Sequence, residues 1–189
     1  MNAHSVTICP YNPDWPRDFE RYRAAIQAAL GDLDRGVDHI GSTSVPGLGA
    51  KDIIDIQVTV AELTEEVAGR LQAAGFSRRR ITADHVPPGA DPDPALWSKL
   101  LFCEPEGQRR ANIHVRRLGN PNQRYPLLFR DYLRAHPASA QAVERVKREL
   151  AKHFPDDIDS YLDIKEPVYD LIWYAAQEWK SGNVISFDI

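Results

Sequence analysis

His39-Ile40-Gly41-Ser42-Thr43-Ser44-Val45-Pro46-Gly47-Leu48 is the stretch on which the reading of this chain turns. Val37 to Ile40 reads as a short strand that delivers the chain into a Gly-Ser turn. Glycine lets backbone approach a ligand closely, and three hydroxyls with successive backbone N–H groups can ring a phosphate oxygen. Pro46, Gly47 and Gly49 shape the return, and Lys51 brings a positive charge to its end. No Gly-Lys-Ser/Thr follows, so this is not a P-loop. A turn of this composition is commonly only a turn; its weight comes from what flanks it.

Working outward, Ile53 to Val60 reads as a second strand, with Asp55, Gln57 and Thr59 on the face opposite Ile54, Ile56 and Val58. Twelve residues lie between Ser42 and Asp55. Upstream, Asp14 is an N-cap, Pro16 sits in a first turn, and Phe19, Tyr22, Ile26, Ala29 and Leu30 recur at helical spacing until Gly31. Downstream, Glu62 to Ala74 reads as a helix ended by Gly75. Strands are expected around Phe76–Thr82, Trp97–Cys103 and Ala111–Arg117, and the prolines of Asp84–Ala95 exclude regular structure there. Gln123–Ala135, Ala138–His153 and Ser160–Lys180 are helical in pattern, with Pro126 and Pro167 in first turns or at kinks. The expected plan is α+β: a mixed or antiparallel sheet with flanking helices, followed by a C-terminal helical block. One domain over 1–189 is expected, its sheet core about 1–120 and its helical block about 122–180.

Composition narrows the classes. With 43% hydrophobic and 26% charged residues the chain suits a globular protein, not a disordered one. Cys9 and Cys103 lack metal-ligand spacing and read as free thiols of a reducing compartment. No apolar run approaches the ~20 residues of a membrane span, and Met1–Ile8 has no signal pattern. A cytoplasmic protein without membrane contact is expected. The formal net charge of −4 argues against nucleic acid as a partner, and Arg78–Arg80, Arg109-Arg110 and Arg116-Arg117 read mostly as solvated faces. Oligomeric state is not legible.

His39 to Lys51, followed by Ile54-Asp55-Ile56, resembles the signature of the GrpB family. These are predicted nucleotidyltransferases of the polymerase-β-like superfamily, found free and fused to dephospho-CoA kinase. Asn112-Ile-His-Val115, Phe129–Arg134 with His136-Pro137, and Tyr161 with Lys165 extend the resemblance over roughly Val6 to Trp173. It implies a nucleotidyltransferase-like fold in which Gly41, Ser42, Thr43 and Ser44 hold the phosphates of a nucleoside triphosphate. It further implies a divalent metal, Mg or Mn, on an acid-x-acid pair of the next strand, and a third acid from a neighbouring strand. Two such metals neutralise the triphosphate and stabilise the leaving pyrophosphate. The acceptor is a small molecule or a protein.

Asp55 stands at the first acid's position and Gln57 at the second, so the implied metal ligands are Asp55 and Gln57, the latter a much weaker one for Mg²⁺. Where a third acid is wanted the chain carries Asn112 and His114 on one face. Asp55 and His114 are therefore the expected catalytic groups, His114 as a general base. Lys51, Lys99, Arg110 and Arg130 are expected phosphate contacts, although Arg130 and Asp131 equally fit an ion pair bracing the helical block to the sheet. Lys147 and Lys165 have a solvent default, and become a clamp if the helices close over the loop. Trp97, beside the proline-rich loop, can cover a ligand. Two other functions fit the same residues: a non-catalytic nucleotide, CoA-type ligand or partner-binding module, and an adenylylating enzyme that activates a carboxylate for attack by an amine.

Overall fold

The computed structural model describes residues 5–182; Met1 to His4, part of the N-terminal stretch read above, lie outside it. The first helix, α1 (Trp15–Leu30), begins with Pro16 in its first turn and ends at Gly31, whose positive φ of 56° no side chain favours. Strand β1 (Asp34–Ile40) leads through the Ser42–Ser44 3₁₀ turn to β2 (Ile54–Val60). Helix α2 (Glu65–Ala73) is capped by Thr64, whose hydroxyl accepts from the Val67 N–H. Then come β3 (Ser77–Arg78), a one-turn helix α3 (Pro94–Trp97), β4 (Leu100–Cys103) and β5 (Ala111–Arg117). Three helices close the chain: α4 (Pro121–Ala135), α5 (Pro137–His153) and α6 (Ile158–Ser181).

The sheet is mixed, with strand order β1-β2-β5-β4-β3. Only the central β2–β5 pair is parallel; the other neighbours run antiparallel. The expected α+β plan is the observed one. Period-two alternation gives the sheet two unlike faces. Ile54, Ile56, Val58, Ile113, Val115 and Phe102 pack against Phe19, Tyr22 and Ile26 of α1 and Val67 and Leu71 of α2. The opposite face carries Asp55, Gln57, Asn112, His114 and Arg116, an array no apolar layer could cover cheaply. The C-terminal helices roof it, held to the turn by Val45 and Leu48 packing on Phe129, Leu133 and Val143. Among the described residues no helix is long and apolar enough to cross a membrane.

Two elements differ from expectation. The strand expected over Phe76–Thr82 forms a regular ladder only at Ser77 and Arg78, opposite Cys103 and Phe102. Beyond it single backbone bonds, Arg79 N–H to Leu101 and Lys99 N–H to Thr82, keep this edge segment beside β4. Trp97 closes α3 instead of opening a strand, since Pro94 suits a first helical turn and Asp93 caps it by accepting from the Ala95 N–H. Pro126 and Pro167 lie inside α4 and α6 beyond their first turns.

Candidate functional site

Between the polar sheet face and the helical roof lies a cavity of about 500 Å³, with Asp55 on its floor. Asp55 is flanked in the sheet by Ile40 and Asn112, and the Asn112 amide donates to its Oδ1 at 2.9 Å. Burial raises its pKa, while that hydrogen bond and the nearby Lys51 and Lys165 pull the other way. Gly41 must be glycine here: its φ is +68°, and a Cβ would stand 2.6 Å from Asp55 Oδ2. The turn and the carboxylate therefore touch, backbone against side chain.

Of the three hydroxyl residues in the turn, Ser42 and Thr43 line the cavity and Ser44 does not. The Ser42 hydroxyl lies 3.4 Å from the Tyr169 hydroxyl. Thr43 is buried and shares a 2.9 Å hydrogen bond with His39 Nε2, and the Ser44 hydroxyl donates back to the Gly41 carbonyl at 2.6 Å. Arg134 donates to the Ser44 carbonyl, which ties α4 to the turn. Thr43 and Ser44 thus also shape the turn.

The expected metal role of Gln57 is corrected by its surroundings. Its side chain is fully buried and absent from the cavity wall. Its Nε2 donates to the Gln123 carbonyl and its Oε1 accepts from Arg116, both at 2.9 Å. An amide so committed has no oxygen to give a cation. The carboxylate that belongs to this region is one the sequence reading passed over, Asp84, in the proline-rich segment. It accepts from Lys99 at 2.6 Å, from Arg116 at 2.8 Å and 2.9 Å, and from Asn122 at 3.0 Å. Burial opposes its charge, yet Arg116 and Lys99 outweigh that and hold the carboxyl well below the usual range. Two cations already saturate Asp84. Among the described residues no three His, Cys, Asp or Glu side chains are grouped to hold a metal ion.

His114 lines the cavity, but not as a base. Its Nδ1 faces Lys99 Nζ at 3.4 Å and Arg116 Nη2 at 3.3 Å, and both of these can only donate. The ring proton therefore sits on Nε2. Burial and the two cations push its pKa well down, so His114 is a neutral donor with no spare lone pair. Lys99 stands on the cavity wall already paired with Asp84. Arg110 is exposed and outside the wall, contributing its carbonyl to the Ile54 N–H. Arg130 also lies off the wall: it bonds Asp131, Asp38 and the His39 carbonyl, bracing α4 to β1.

Lys51 does line the cavity, with Lys147 of α5 and Lys165 of α6. Lys51 Nζ lies 5.3 Å from the Tyr161 ring centre, and Lys165 Nζ lies 4.8 Å from that of Tyr169. Lys147 is buried and donates to the Gly49 carbonyl at 2.6 Å. Burial lowers all three pKa values, Lys147 to about 7. The helical roof brings in a second set: His85 Nε2 sits 2.8 Å from Asp170, which also accepts from the Tyr125 hydroxyl at 3.1 Å. Sequence reasoning missed Asp84, His85, Tyr169 and Asp170. The available signal was Lys165 and Tyr169, one helical turn apart and so on one face of α6.

The chain matches the family described as GrpB protein over residues 5–174. It is 37% identical over 193 residues to a dephospho-CoA kinase of Mycolicibacterium paratuberculosis, an alignment covering 94% of this chain and 47% of that protein. The chain spans about half the length of the dephospho-CoA kinases it matches. It is 34% identical over 174 residues to a UPF0157 protein of Halalkalibacterium halodurans, covering 91% of this chain and 83% of that one. The crystal structure of conserved protein GrpB from Enterococcus faecalis is similar at a TM-score of 0.74 and 29% identity, covering 93% of this chain and 99% of that chain. Sequence and fold agree over nearly the whole length, and the chain belongs to the GrpB family.

Proposed function

We propose that this cavity binds a nucleoside triphosphate and that the chain transfers its nucleotidyl group to a small-molecule or protein acceptor. The observation that carries the reading is the meeting of Ser42, Asp55 and the lysines Lys51, Lys147 and Lys165 in one cavity. A wall of that charge suits phosphates, and about 500 Å³ lies within the range of small-ligand sites. The Ser42 hydroxyl and the turn's backbone would hold the phosphates, and the His114 Nε2–H would donate to a ligand oxygen. In the transfer, the acceptor's hydroxyl or amine attacks the α-phosphorus. The bond from that phosphorus to the bridging oxygen breaks, pyrophosphate leaves, and the acceptor's proton passes to Asp55, whose raised pKa suits a base.

A magnesium or manganese ion in this cavity would have Asp55 as its single committed carboxylate. With Gln57 held by Arg116, and Asp84 held by two cations, the donor set does not fit a two-metal centre. Titration calorimetry with ATP, GTP, CTP and UTP, with and without Mg²⁺ or Mn²⁺, tests the binding. A pyrophosphate-release assay over a panel of hydroxyl, amine and carboxylate acceptors tests the transfer. Failure of all four nucleotides to bind would falsify the reading. The buried Gln57–Arg116 contact favours one alternative, a binding module without catalysis. It requires nucleotide binding with no pyrophosphate released by any acceptor.

A further inference from the structure

Lys51, Lys147 and Lys165 come from three separate elements: the loop entering β2, α5 and α6. All three reach the same cavity, and each lies within electrostatic range of Asp55. Among the described residues none of them makes an ion pair within 4.0 Å. Two of them rest on aromatic rings, and Lys147 donates to a backbone carbonyl. With Lys99 and Arg116, the cavity wall carries five cationic side chains against the three carboxylates of Asp55, Asp84 and Glu166, a formal excess of two positive charges (5 − 3). Such an arrangement repels itself, because like charges on a partly buried wall are screened less than in bulk water. A polyanion would relieve the repulsion at once. The same wall fails the requirements of a metal pair, as the Gln57 and Asp84 contacts show.

We infer that the cavity binds a polyphosphate without a divalent cation, the ammonium groups of Lys51, Lys147 and Lys165 supplying the counter-charge that two metal ions would otherwise supply. The phosphate chain lies between Ser42 and α6, against the three lysines, while Asp55 stays free to take a proton. The inference deepens the nucleotide-binding reading by naming what neutralises the phosphates. It does not depend on transfer taking place. Burial lowers the pKa of each lysine, and a neighbouring cation adds to the shift in every case.

The test is titration calorimetry of the intact chain with inorganic triphosphate in EDTA, repeated with excess Mg²⁺. Binding in EDTA is expected, weakening steeply with ionic strength and not tightened by Mg²⁺. Lys165→Gln should weaken it about tenfold or more, as loss of a charge-assisted contact does. Lys165→Arg should restore most of the affinity. Lys152→Gln, on the exposed side of α5, should leave it unchanged. Should Lys147→Gln fail to fold, Lys165→Gln still decides the matter, because Lys165 is only half-buried. Binding that appears only with Mg²⁺ overturns the inference and leaves the nucleotide reading standing. Affinity in EDTA unaffected by Lys165→Gln and Lys51→Gln together overturns it too. Triphosphate binding in EDTA without any nucleotidyl transfer leaves the inference intact and removes the transfer step alone. Absence of triphosphate binding under both conditions removes both.

Discussion

Gly41 has no side chain because Asp55 fills the space one would need. Gly41→Ala is expected to strain a φ of +68° and to displace Asp55 together. A loss of about 2 kcal/mol in denaturant unfolding should accompany loss of ligand binding. Gln57 makes a second case. Gln57→Glu restores the acid the family pattern leads one to expect, but the new carboxylate would sit against Arg116 and face the Gln123 carbonyl with no hydrogen to donate. A destabilisation of about 1–3 kcal/mol is expected, with no Mg²⁺ affinity gained in calorimetry. A tight new magnesium site in that variant would show that the contact to Arg116 gives way. At this scale Asp55, Ser42 and Lys51 were legible, because motif and spacing place them. Asp84 was not, since its importance comes from Lys99 and Arg116, which reach it from 15 and 32 positions further along the chain.

The elements join β1, the turn and α4 through groups that are buried but polar. His39 stacks on Phe19 with ring centres 4.8 Å apart while its Nε2 meets Thr43. Burial, with Arg134 and Arg130 nearby, lowers its pKa to about 4. The unfolded chain takes up a proton near the ordinary 6.5, the folded one only near 4, so stability falls as pH drops through that window. The loss should be roughly 3 kcal/mol at most, read as a falling denaturation midpoint between pH 6.5 and 4, and flattened by His39→Gln. Asp84→Asn strikes the proline-rich strap instead. It leaves Lys99 and Arg116 buried without a carboxylate, and a loss of about 3 kcal/mol is expected. A change below about 0.5 kcal/mol on thermal unfolding would show that the strap is not held by this pair. Periodicity located α1, β2, β5 and the three closing helices because each buries a regular stripe. It overran at β3 and Trp97, where an edge with one short partner and a proline-started turn decide the backbone, not hydrophobic alternation.

Across the whole molecule, the helical roof sets both the charge of the cavity and its pH response. Lys147 has its pKa lowered by burial to about 7 against an ordinary 10.5. Above pH 7 the folded chain sheds a proton that the unfolded chain keeps, so stability should rise between about pH 7 and 10 from this group. Lys147→Met should abolish that rise in a pH series of urea midpoints; an unchanged slope would assign it elsewhere. The sequence made the roof's helices legible, but not that three lysines from separate segments meet beneath it. Such convergence depends on how α5 and α6 cross the sheet, which no local pattern encodes.

The parallel pairing of β2 with β5 also sets a timetable. Asp55 and Asn112 are 57 positions apart, whereas β1 and β2 already pair at Ile40 and Asp55 across one turn. Closing the longer loop costs about 1 kcal/mol more by chain entropy, and it waits on the α2 and proline-rich segments between. In pulse-labelled refolding, amides of β1 and β2 should gain protection from exchange before those of β5. A newly made chain would then carry its Gly-Ser turn for some time before it could hold anything there.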